Sequence, residues 1–202
     1  PCLLLKSNGL YNSRQFSNYV YLGDPINTVK IFSEKKVDEI MILDIESSRL
    51  NKEPDFDLIK KTANESTMPF CYGGGVNSLK IAEKIINCGA EKVSISSYAI
   101  KNSKKIPEFI KNFGSQSITI VLDVRWNKKK LIYEVYTKNG EEKSDIIFTD
   151  FLKYLNDVNV GEVILNSIDL DGTFKGYDEN LISVAKKYCK TPITILGGAK
   201  SL

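Results

Sequence analysis

The residues best suited to binding chemistry lie in two glycine-rich turns, CYGGGVNSLK at positions 71–80 and ILGGAKSL at positions 195–202. Each turn follows an apolar run, and the first also precedes a segment with helical periodicity. Glycine adopts positive φ and lets backbone N–H groups approach a ligand closely, so a strand, a glycine turn and a helix in succession suit an anionic group. We therefore expect two anion-binding turns.

One acidic residue, Asp123, directly follows the apolar run Ile118–Leu122. A carboxylate buried there is costly unless it has a partner or a task, which makes Asp123 a candidate catalytic residue. The alternative is an aspartate that caps the following loop. The chain contains no histidine, which excludes Ser-His-Asp and Cys-His nucleophile systems and any histidine metal site. Proton transfer would fall to Asp, Glu, Lys, Tyr or Cys.

A polar, glycine-containing segment, SIDLDGTFKGYD at positions 167–178, follows another apolar run. Asp169 and Asp171 precede a turn at Gly172, and Thr173 can supply both a hydroxyl and an N–H group to an oxyanion. An Asx-turn loop without a binding role is the alternative, since Asp-Gly also forms such turns. The position after a predicted strand favours a binding site.

The composition, 42% hydrophobic and 26% charged residues, is typical of a soluble globular protein. The net charge is +3 and the lysines are scattered, so we expect neither nucleic acid nor a membrane surface as a partner. No apolar run is long enough to span a bilayer and no signal peptide is visible, so we expect a cytoplasmic protein. The four cysteines have no CxxC spacing, which favours buried thiols over a metal or redox site; we expect no metal and no cofactor.

Short apolar runs alternate with helix-period segments along the chain. Because these runs are continuously apolar, they predict strands buried on both faces of a parallel sheet covered by helices. Predicted strands are Cys2–Leu5, Ile40–Leu43, Pro69–Tyr72, Val93–Ile95, Ile118–Leu122, Val163–Leu165 and Ile193–Leu196. Predicted helices are Pro25–Lys35, Phe56–Asn64, Ser78–Cys88, Ser103–Phe113, Thr149–Asn156 and Asp178–Tyr188.

An internal repeat indicates how these units are organised. The GGxxSL frame at Gly74 recurs at Gly197, 123 positions later, and Glu39-Ile40-Met41-Ile42 recurs with the same separation as Glu162-Val163-Ile164-Leu165. Two related halves of four βα units each predict a (βα)8 TIM barrel of two similar half-barrels, although an open seven-stranded sheet also fits. Seven units are visible, so we expect one domain over residues 1–202, truncated before the last βα unit. A hairpin insertion is predicted at Lys129–Glu142, turning at Asn139-Gly140.

In such barrels the active site lies where the strands end. The polar residues there include Asp44, Gly75, Ser96, Ser97, Asp123, Asn166, Asp171, Gly172, Thr173 and Gly198. At the opposite ends stand Glu39, Lys92 and Glu162, which form either a charged ring at the bottom of the barrel or ordinary solvated strand starts.

The motifs CYGGGV, EKVSISS, FGSQSITIVLDV, GEVILNSIDLDGTFKGYD and ILGGA resemble HisF, the cyclase subunit of imidazole glycerol phosphate synthase, over essentially the whole chain. The resemblance implies a (βα)8 barrel with a HisH-type glutaminase on its bottom face, forming a heterodimer that passes ammonia through the barrel. It implies that Glu39, Lys92 and Glu162 belong to the ammonia gate and that Asp123 is catalytic. It also implies a phosphorylated small-molecule substrate, with Gly75 and Ser97 at one phosphate site and Gly172, Gly198 and Ala199 at the other. The strand-end residues Ser96, Asn166, Asp171 and Thr173 complete the predicted binding residues.

The sequence departs from the HisF pattern where the first of two catalytic aspartates is expected, since that position is Leu4. Asn12 replaces a lysine and Ser96 an asparagine of the family. This combination resembles a HisF paralogue group, typified by WbuZ, from bacterial surface-polysaccharide gene clusters. There, a glutaminase and a HisF-like barrel would supply ammonia to an amidotransferase that converts an acetamido into an acetamidino group. The alternatives are the cyclase of histidine biosynthesis, with Asp44 or Asp169 substituting for the missing acid, and a non-catalytic scaffold that activates the glutaminase.

Overall fold

A computed structural model describes residues 1–200, so Ser201 and Leu202 of the second GGxxSL frame lie outside the described residues. The strands are β1 Cys2–Lys6, β2 Gly9–Arg14, β3 Ser17–Gly23, β4 Ile40–Asp44, β5 Phe70–Gly73, β6 Lys92–Ile95, β7 Ile118–Asn127, β8 Ile132–Thr137, β9 Glu142–Ile147, β10 Glu162–Ser167 and β11 Ile193–Leu196. The α-helices are α1 Pro25–Glu34, α2 Ser47–Leu50, α3 Phe56–Glu65, α4 Leu79–Asn87, α5 Ser97–Lys101, α6 Ile106–Phe113, α7 Phe148–Asp157 and α8 Glu179–Tyr188, with 3-10 turns at Ser103–Lys105 and Ser115–Ser117.

The seven predicted apolar runs are all strands, and the six predicted helices are all helical within a few residues. Four of the helices start where a serine or aspartate side chain accepts a hydrogen bond from the helix N-terminus: Asp24 for α1, Asp55 for α3, Ser78 for α4 and Asp178 for α8. Local capping chemistry therefore sets these helix starts, while burial of apolar side chains sets the strands.

The chain packs as two compact units, one comprising Pro1–Asn12 with Val20–Ile95 and the other Ser13–Tyr19 with the chain from Ser96 onward. The first contains four parallel strands, in which β1 pairs with β4 and β4 with β5, and β5 with β6. In the second, β10 pairs in parallel with both β7 and β11. Parallel strands alternating with helices, with four strands before the division, confirm the α/β TIM-barrel class. The single domain predicted over residues 1–202 stays a prediction.

Fully buried aliphatic and aromatic side chains of the strands and helices form the core of each unit. In the first unit these include Ile40, Phe70, Ile85 and Val93, and in the second Ile120, Leu122, Leu152 and Val163. Within the described residues no helix has the length and apolar character needed to cross a membrane.

The two strands between β1 and α1, β2 and β3, were not predicted from the sequence. β2 returns antiparallel to β1 with Lys6 opposite Gly9, across a two-residue turn at Ser7 and Asn8 that both have positive φ. Asn8-Gly9 is a typical turn signal, so the hairpin was detectable. The short helices α2 and α5 were also missed, because helices of four or five residues show no periodicity.

The insertion in the fifth unit is larger than predicted. β7 extends to Asn127, five residues beyond the predicted strand end, and pairs antiparallel with β8, which pairs in turn with β9. The predicted turn at Asn139-Gly140 does connect β8 to β9, and both residues have positive φ. The predicted bounds were wrong because the strand does not stop at the end of the apolar run: residues 124–127 continue it by pairing antiparallel with residues 132–135 of β8.

Candidate functional site

Asp123 lies on β7 directly opposite Asn166 on β10, in the parallel register of the two strands. Asn166 donates a hydrogen bond from Nδ2 to Asp123 Oδ1 at 3.2 Å. The Asn166 side chain is 93% buried, since only 7% of its surface is accessible, and its Oδ1 has no hydrogen-bond partner. Two predicted site residues that are 43 positions apart are thus brought into contact by strand register.

Burial raises the pKa of Asp123 from 3.8 to about 7, because removal of water disfavours the charged carboxylate. The negative charge of Asp171 raises this pKa further, and the hydrogen bond from Asn166 opposes both effects. The residue as a whole keeps part of its surface accessible. A carboxyl group with a pKa near neutrality can both accept and release a proton at physiological pH, as general acid–base chemistry requires.

The Asp171 side chain holds the tip of the β2–β3 hairpin. Its Oδ2 accepts hydrogen bonds from Ser13 Oγ at 2.6 Å and from the Phe16 N–H at 3.3 Å. The Asp171 carbonyl oxygen accepts a bond from the Gln15 N–H at 2.9 Å, and Gln15 Nε2 donates to the Asp169 carbonyl oxygen at 2.8 Å. The hairpin tip therefore contacts the loop after β10, which the sequence gave no reason to expect.

The predicted glycine cradle of the second unit forms one contiguous backbone cluster. Gly172 has φ of +63° and sits so close to Ser13 and Arg14 that no side chain fits. Gly198 accepts a hydrogen bond on its carbonyl oxygen from the Gly176 N–H at 2.8 Å, and both Gly197 and Gly198 have positive φ. The structure thus brings the turn after β11 against the loop after β10, as the sequence predicted.

Two other predicted binding residues of this unit, Thr173 and Ser97, already make hydrogen bonds within the protein. Thr173 donates from both its N–H, at 3.1 Å, and its hydroxyl, at 2.8 Å, to the Leu170 carbonyl oxygen. Ser97 begins α5 with Ser96 before it, and Ser97 Oγ accepts from the Lys138 N–H at 3.2 Å. Ala199 is exposed. An oxyanion at Thr173 would have to replace the Leu170 contacts, so binding through this residue stays a prediction.

In the first unit, the glycine turn after β5 packs against the loop after β4. Gly74 has φ of +115° and leaves no room for a side chain beside Asp44. The Gly75 N–H, predicted to bind phosphate, donates to Ser48 Oγ at 3.0 Å. Gly74 and Gly75 match Gly197 and Gly198 in having positive φ after an apolar strand, so the two halves share this backbone conformation.

The two acids that could replace the missing aspartate already have partners. Asp44 Oδ1 accepts from the N–H groups of Glu46 and Ser47 at 2.9 and 3.0 Å. Its Oδ2 accepts from Ser47 Oγ at 2.5 Å and from the Tyr72 hydroxyl at 3.4 Å; burial and the charge of Asp44 raise the pKa of Tyr72 far above its usual value. These contacts describe a structural cap on α2 rather than a poised acid.

Asp169 is engaged on both carboxylate oxygens. Its Oδ2 accepts from the Trp126 N–H at 3.2 Å, and its Oδ1 lies 3.4 Å from Arg125 Nε in an ion pair. Arg125 in turn lies over the Tyr136 ring at 4.9 Å. Asp169 therefore fastens the loop after β10 to the extended part of β7.

The predicted gate residues stand at strand starts, as expected. Lys92 Nζ lies 2.7 Å from Glu39 Oε2 in the first unit. In the second unit, Glu162 Oε1 accepts a hydrogen bond from Thr194 Oγ1 at 2.6 Å. With 35% and 25% of their side chains accessible, Glu39 and Lys92 form a partly shielded pair, and their role in an ammonia gate stays a prediction.

A cleft of about 540 Å³ lies elsewhere in the second unit, between β8, β9 and α8. Its walls include Trp126, Tyr133, Ser144 and Val184, and none of the predicted site residues lines it. Across the described residues, no group of three or more acids and cysteines is arranged to hold a metal ion. Cys71 and Cys189 are buried, and Cys2 and Cys88 are partly buried.

Leu4 lies in the middle of β1, opposite Leu43 of β4 in the parallel register and opposite Tyr11 of β2 in the antiparallel one. Its neighbours in the register are thus an aliphatic and an aromatic residue, and neither offers a carboxylate. The position carries no acid or base at the place where the HisF resemblance implies one.

The comparisons with known proteins agree with the motifs. The whole chain, residues 1–202, matches the protein family described as "Histidine biosynthesis protein". It is 45% identical to the "Putative imidazole glycerol phosphate synthase subunit HisF" of Leptospira borgpetersenii, with 100% of this chain and 80% of the relative covered. It is 42% identical, with the same coverage, to the "Putative imidazole glycerol phosphate synthase subunit hisF2" of Pseudomonas aeruginosa. It is 34% identical to the "Imidazole glycerol phosphate synthase subunit HisF" of Bacillus pumilus, over 98% of this chain and 79% of the relative. The chain therefore belongs to the histidine biosynthesis protein family and, within it, to the HisF group.

Proposed function

We propose that the chain receives ammonia from a HisH-type glutaminase and serves the amidation of a bacterial surface-polysaccharide sugar, in which an acetamido group becomes an acetamidino group. The observation that carries this proposal is Leu4, at the position where the HisF resemblance implies the first catalytic aspartate. Loss of one acid–base partner lowers a rate by about a hundredfold or more. A barrel with this loss is better suited to supply ammonia than to close a ring.

The partners of the remaining acids support the same conclusion. Asp44 is held by four donors and Asp169 by Trp126 and Arg125. Using either as a general acid would first break these contacts. Asp123 is the acid of the described site whose pKa burial raises to about 7.

Ammonia entry is supported by the charged residues at the strand starts. The Glu39 and Lys92 pair, at 2.7 Å, is the kind of reversible ion pair that a neutral molecule passes when a docked partner shifts it. Glu162 lies at the start of β10 with its carboxylate held by Thr194. We propose that these three residues form the gate toward a HisH-type glutaminase.

Substrate binding is proposed for the two glycine turns. Their positive-φ glycines hold the backbone in conformations that suit close approach of a phosphate. Gly75 with Ser97, and Gly172 with Gly198 and Ala199, are the residues that we assign to a phosphorylated small molecule. The substrate-binding assignment also includes Ser96, Asn166, Asp171 and Thr173.

The test reconstitutes the chain with a HisH-type glutaminase and a sugar amidotransferase, and follows acetamidino formation by mass spectrometry. Lys92→Ala should lower glutamine-dependent amidation while amidation from added ammonium chloride persists. Lys84→Ala is the matched control, because Lys84 forms an exposed ion pair with Glu53 at 3.8 Å outside the proposed gate. If Lys92→Ala and Asp123→Asn are both harmless while glutamine hydrolysis still needs the barrel, the chain is a scaffold that activates its partner.

The second candidate is the cyclase of imidazole glycerol phosphate synthase, which the retained Asp123 with its pKa of about 7 favours. The test measures imidazole glycerol phosphate formation from the ribulosyl aminoimidazole carboxamide substrate with ammonium chloride. We expect no turnover in the natural chain, and a gain of about a hundredfold or more over background in Leu4→Asp. Leu4→Asn is the control, since asparagine has the same shape as aspartate but does not titrate. Turnover by the natural chain at the rate of other HisF proteins would instead establish the cyclase.

A further inference from the structure

The Asn166 carboxamide is half satisfied. Among the described residues three buried side-chain oxygens lack a hydrogen-bond partner: Thr119 Oγ1, Ser144 Oγ and Asn166 Oδ1. Of these three side chains, Asn166 is the one that is hydrogen-bonded to an acid, Asp123, through its other end. An unpaired buried acceptor is unfavourable, so its presence beside a titrating group points to a missing donor.

The direction of the Asn166 contact depends on the charge of Asp123. The ionised carboxylate is an acceptor only, so it takes the Nδ2 donor and leaves Asn166 Oδ1 free. A protonated Asp123 could instead donate to Oδ1 once the carboxamide rotates, which would leave the Nδ2 donors free. Ionised Asp123 is therefore linked to a free acceptor at Asn166, and a ligand with N–H groups would stabilise that state.

We propose that Asn166 positions Asp123 in its ionised form, and that Asn166 Oδ1 and the Asp123 carboxylate together bind the N–H groups of the nitrogen donor, ammonia or ammonium. This inference rests on the proposed delivery of ammonia to the site. It assigns Asn166 as a positioning residue: ionisation of Asp123 favours binding of the nitrogen donor at Asn166 Oδ1, and binding of the donor favours ionised Asp123.

The surrounding charges favour an N–H donor over an acceptor or an anion. Asp171 adds a second negative charge that acts on Asp123. The nearest cation on β7, Arg125, is paired with Asp169 at 3.4 Å, and Tyr136 of β8 stands opposite Asp123 in the strand register. Between Asp123 and Asn166, the two carboxylates and the free carboxamide oxygen therefore attract ammonium.

The first experiment measures the pKa of Asp123 by carbon-13 NMR of its carboxyl group in the free chain. Asn166→Leu keeps the size of the side chain and removes the donor, so the pKa should rise by about one unit. Asn180→Leu is the control, since Asn180 Nδ2 donates to the Tyr133 hydroxyl at 3.0 Å rather than to Asp123. An unchanged Asp123 pKa in Asn166→Leu overturns the positioning role. If that variant does not unfold cooperatively, Asn166→Ser, which shortens the side chain, takes its place.

The second experiment repeats the titration in ammonium chloride and in equal potassium chloride, whose cation is similar in size but has no N–H groups. Ammonium should lower the Asp123 pKa more than potassium does, by about 0.3 unit at half-saturation, and Asn166→Leu should abolish the difference. Equal shifts in the two salts overturn the nitrogen subsite. Because neither titration uses a glutaminase or a sugar, they can succeed where the amidation assay fails, so failure of the proposed function is distinguishable from failure of the subsite.

Discussion

Ser13 and Asp171, 158 positions apart in the sequence, are joined by a hydrogen bond of 2.6 Å from the Ser13 hydroxyl to the Asp171 carboxylate. Ser13 is 97% buried, with 3% of its surface accessible. The bond fixes the tip of the β2–β3 hairpin on the loop after β10. Its acceptor, Asp171, is the acid whose charge adds to the effect of burial in raising the pKa of Asp123. The hairpin thus helps to hold the Asp171 carboxylate, whose charge affects the pKa of Asp123.

Replacing Ser13 tests this attachment. Ser13→Ala removes a hydrogen bond to a charged group, which is worth about 1.5–3 kcal/mol, so the hairpin tip should open more often. Hydrogen exchange of the Gln15 and Phe16 amides, which donate to Asp171, should accelerate. Ser17→Ala is the matched control, because Ser17 Oγ donates only locally to the Arg14 carbonyl oxygen in an exposed position. Equal exchange rates in both variants would contradict the assignment.

Gly172 should be intolerant of any side chain. A Cβ there would collide with Ser13 and would lie 3.0 Å from Arg14 Cα, at a backbone φ of +63°. Gly172→Ala should therefore displace the hairpin tip as well as strain the backbone, and should lower the midpoint of thermal unfolding. Gly176→Ala separates the two effects, because Gly176 has φ of +99° with open space around it and should show only a strain of about 1–2 kcal/mol.

The raised pKa of Asp123 predicts a pH-dependent stability. Its folded-state pKa of about 7 lies above the value of 3.8 that an aspartate has in an unfolded chain, so between these values the folded chain binds a proton that the unfolded chain releases. The free energy of unfolding should fall as pH rises through this window, by at most about 1.4 kcal/mol per pH unit.

Asp123→Asn should remove that contribution. The free energy of unfolding of this variant, measured by denaturant unfolding, should exceed that of the natural chain. The difference should grow from pH 4 to pH 7 and stay constant above pH 7. The natural chain at the acid end is the internal reference, since both side chains are then neutral. An advantage that stays constant with pH would show that the Asp123 pKa is not raised.

Asp44 is predicted to be structural. Asp44→Ala removes an acceptor for the Glu46 and Ser47 amides and for two hydroxyls, and should cost about 1–3 kcal/mol of stability. Asp24→Ala provides the comparison, since Asp24 accepts a single exposed amide bond at the start of α1 and should cost about 1 kcal/mol. Denaturant unfolding measures both, and a smaller loss for Asp44→Ala would reopen a catalytic role.

The sequence predicted most of the framework because local physics sets it. Strands buried on both faces are continuous apolar runs in the sequence. The start of helix α1 is marked by the N-cap Asp24 and by Pro25 at the first helical position. The positive-φ turns at Gly74 and Gly197 were visible because glycine tolerates that conformation. The hairpin of β1 and β2 was missed although Asn8-Gly9 signalled it, and the extension of β7 was missed because it continues beyond the apolar run by pairing with β8.

By itself, then, the sequence determined the TIM-barrel class, the HisF relationship and the identity of Asp123, Asn166 and Asp171 as candidate site residues. Only the tertiary structure decided that Asn166 donates to Asp123, that Ser13 holds Asp171 and that Asp44 and Asp169 are already engaged. The physical reason is that residue type and periodicity depend on near neighbours in the chain. Hydrogen bonds and pKa values depend on strand register and burial, which bring together residues that the sequence keeps far apart.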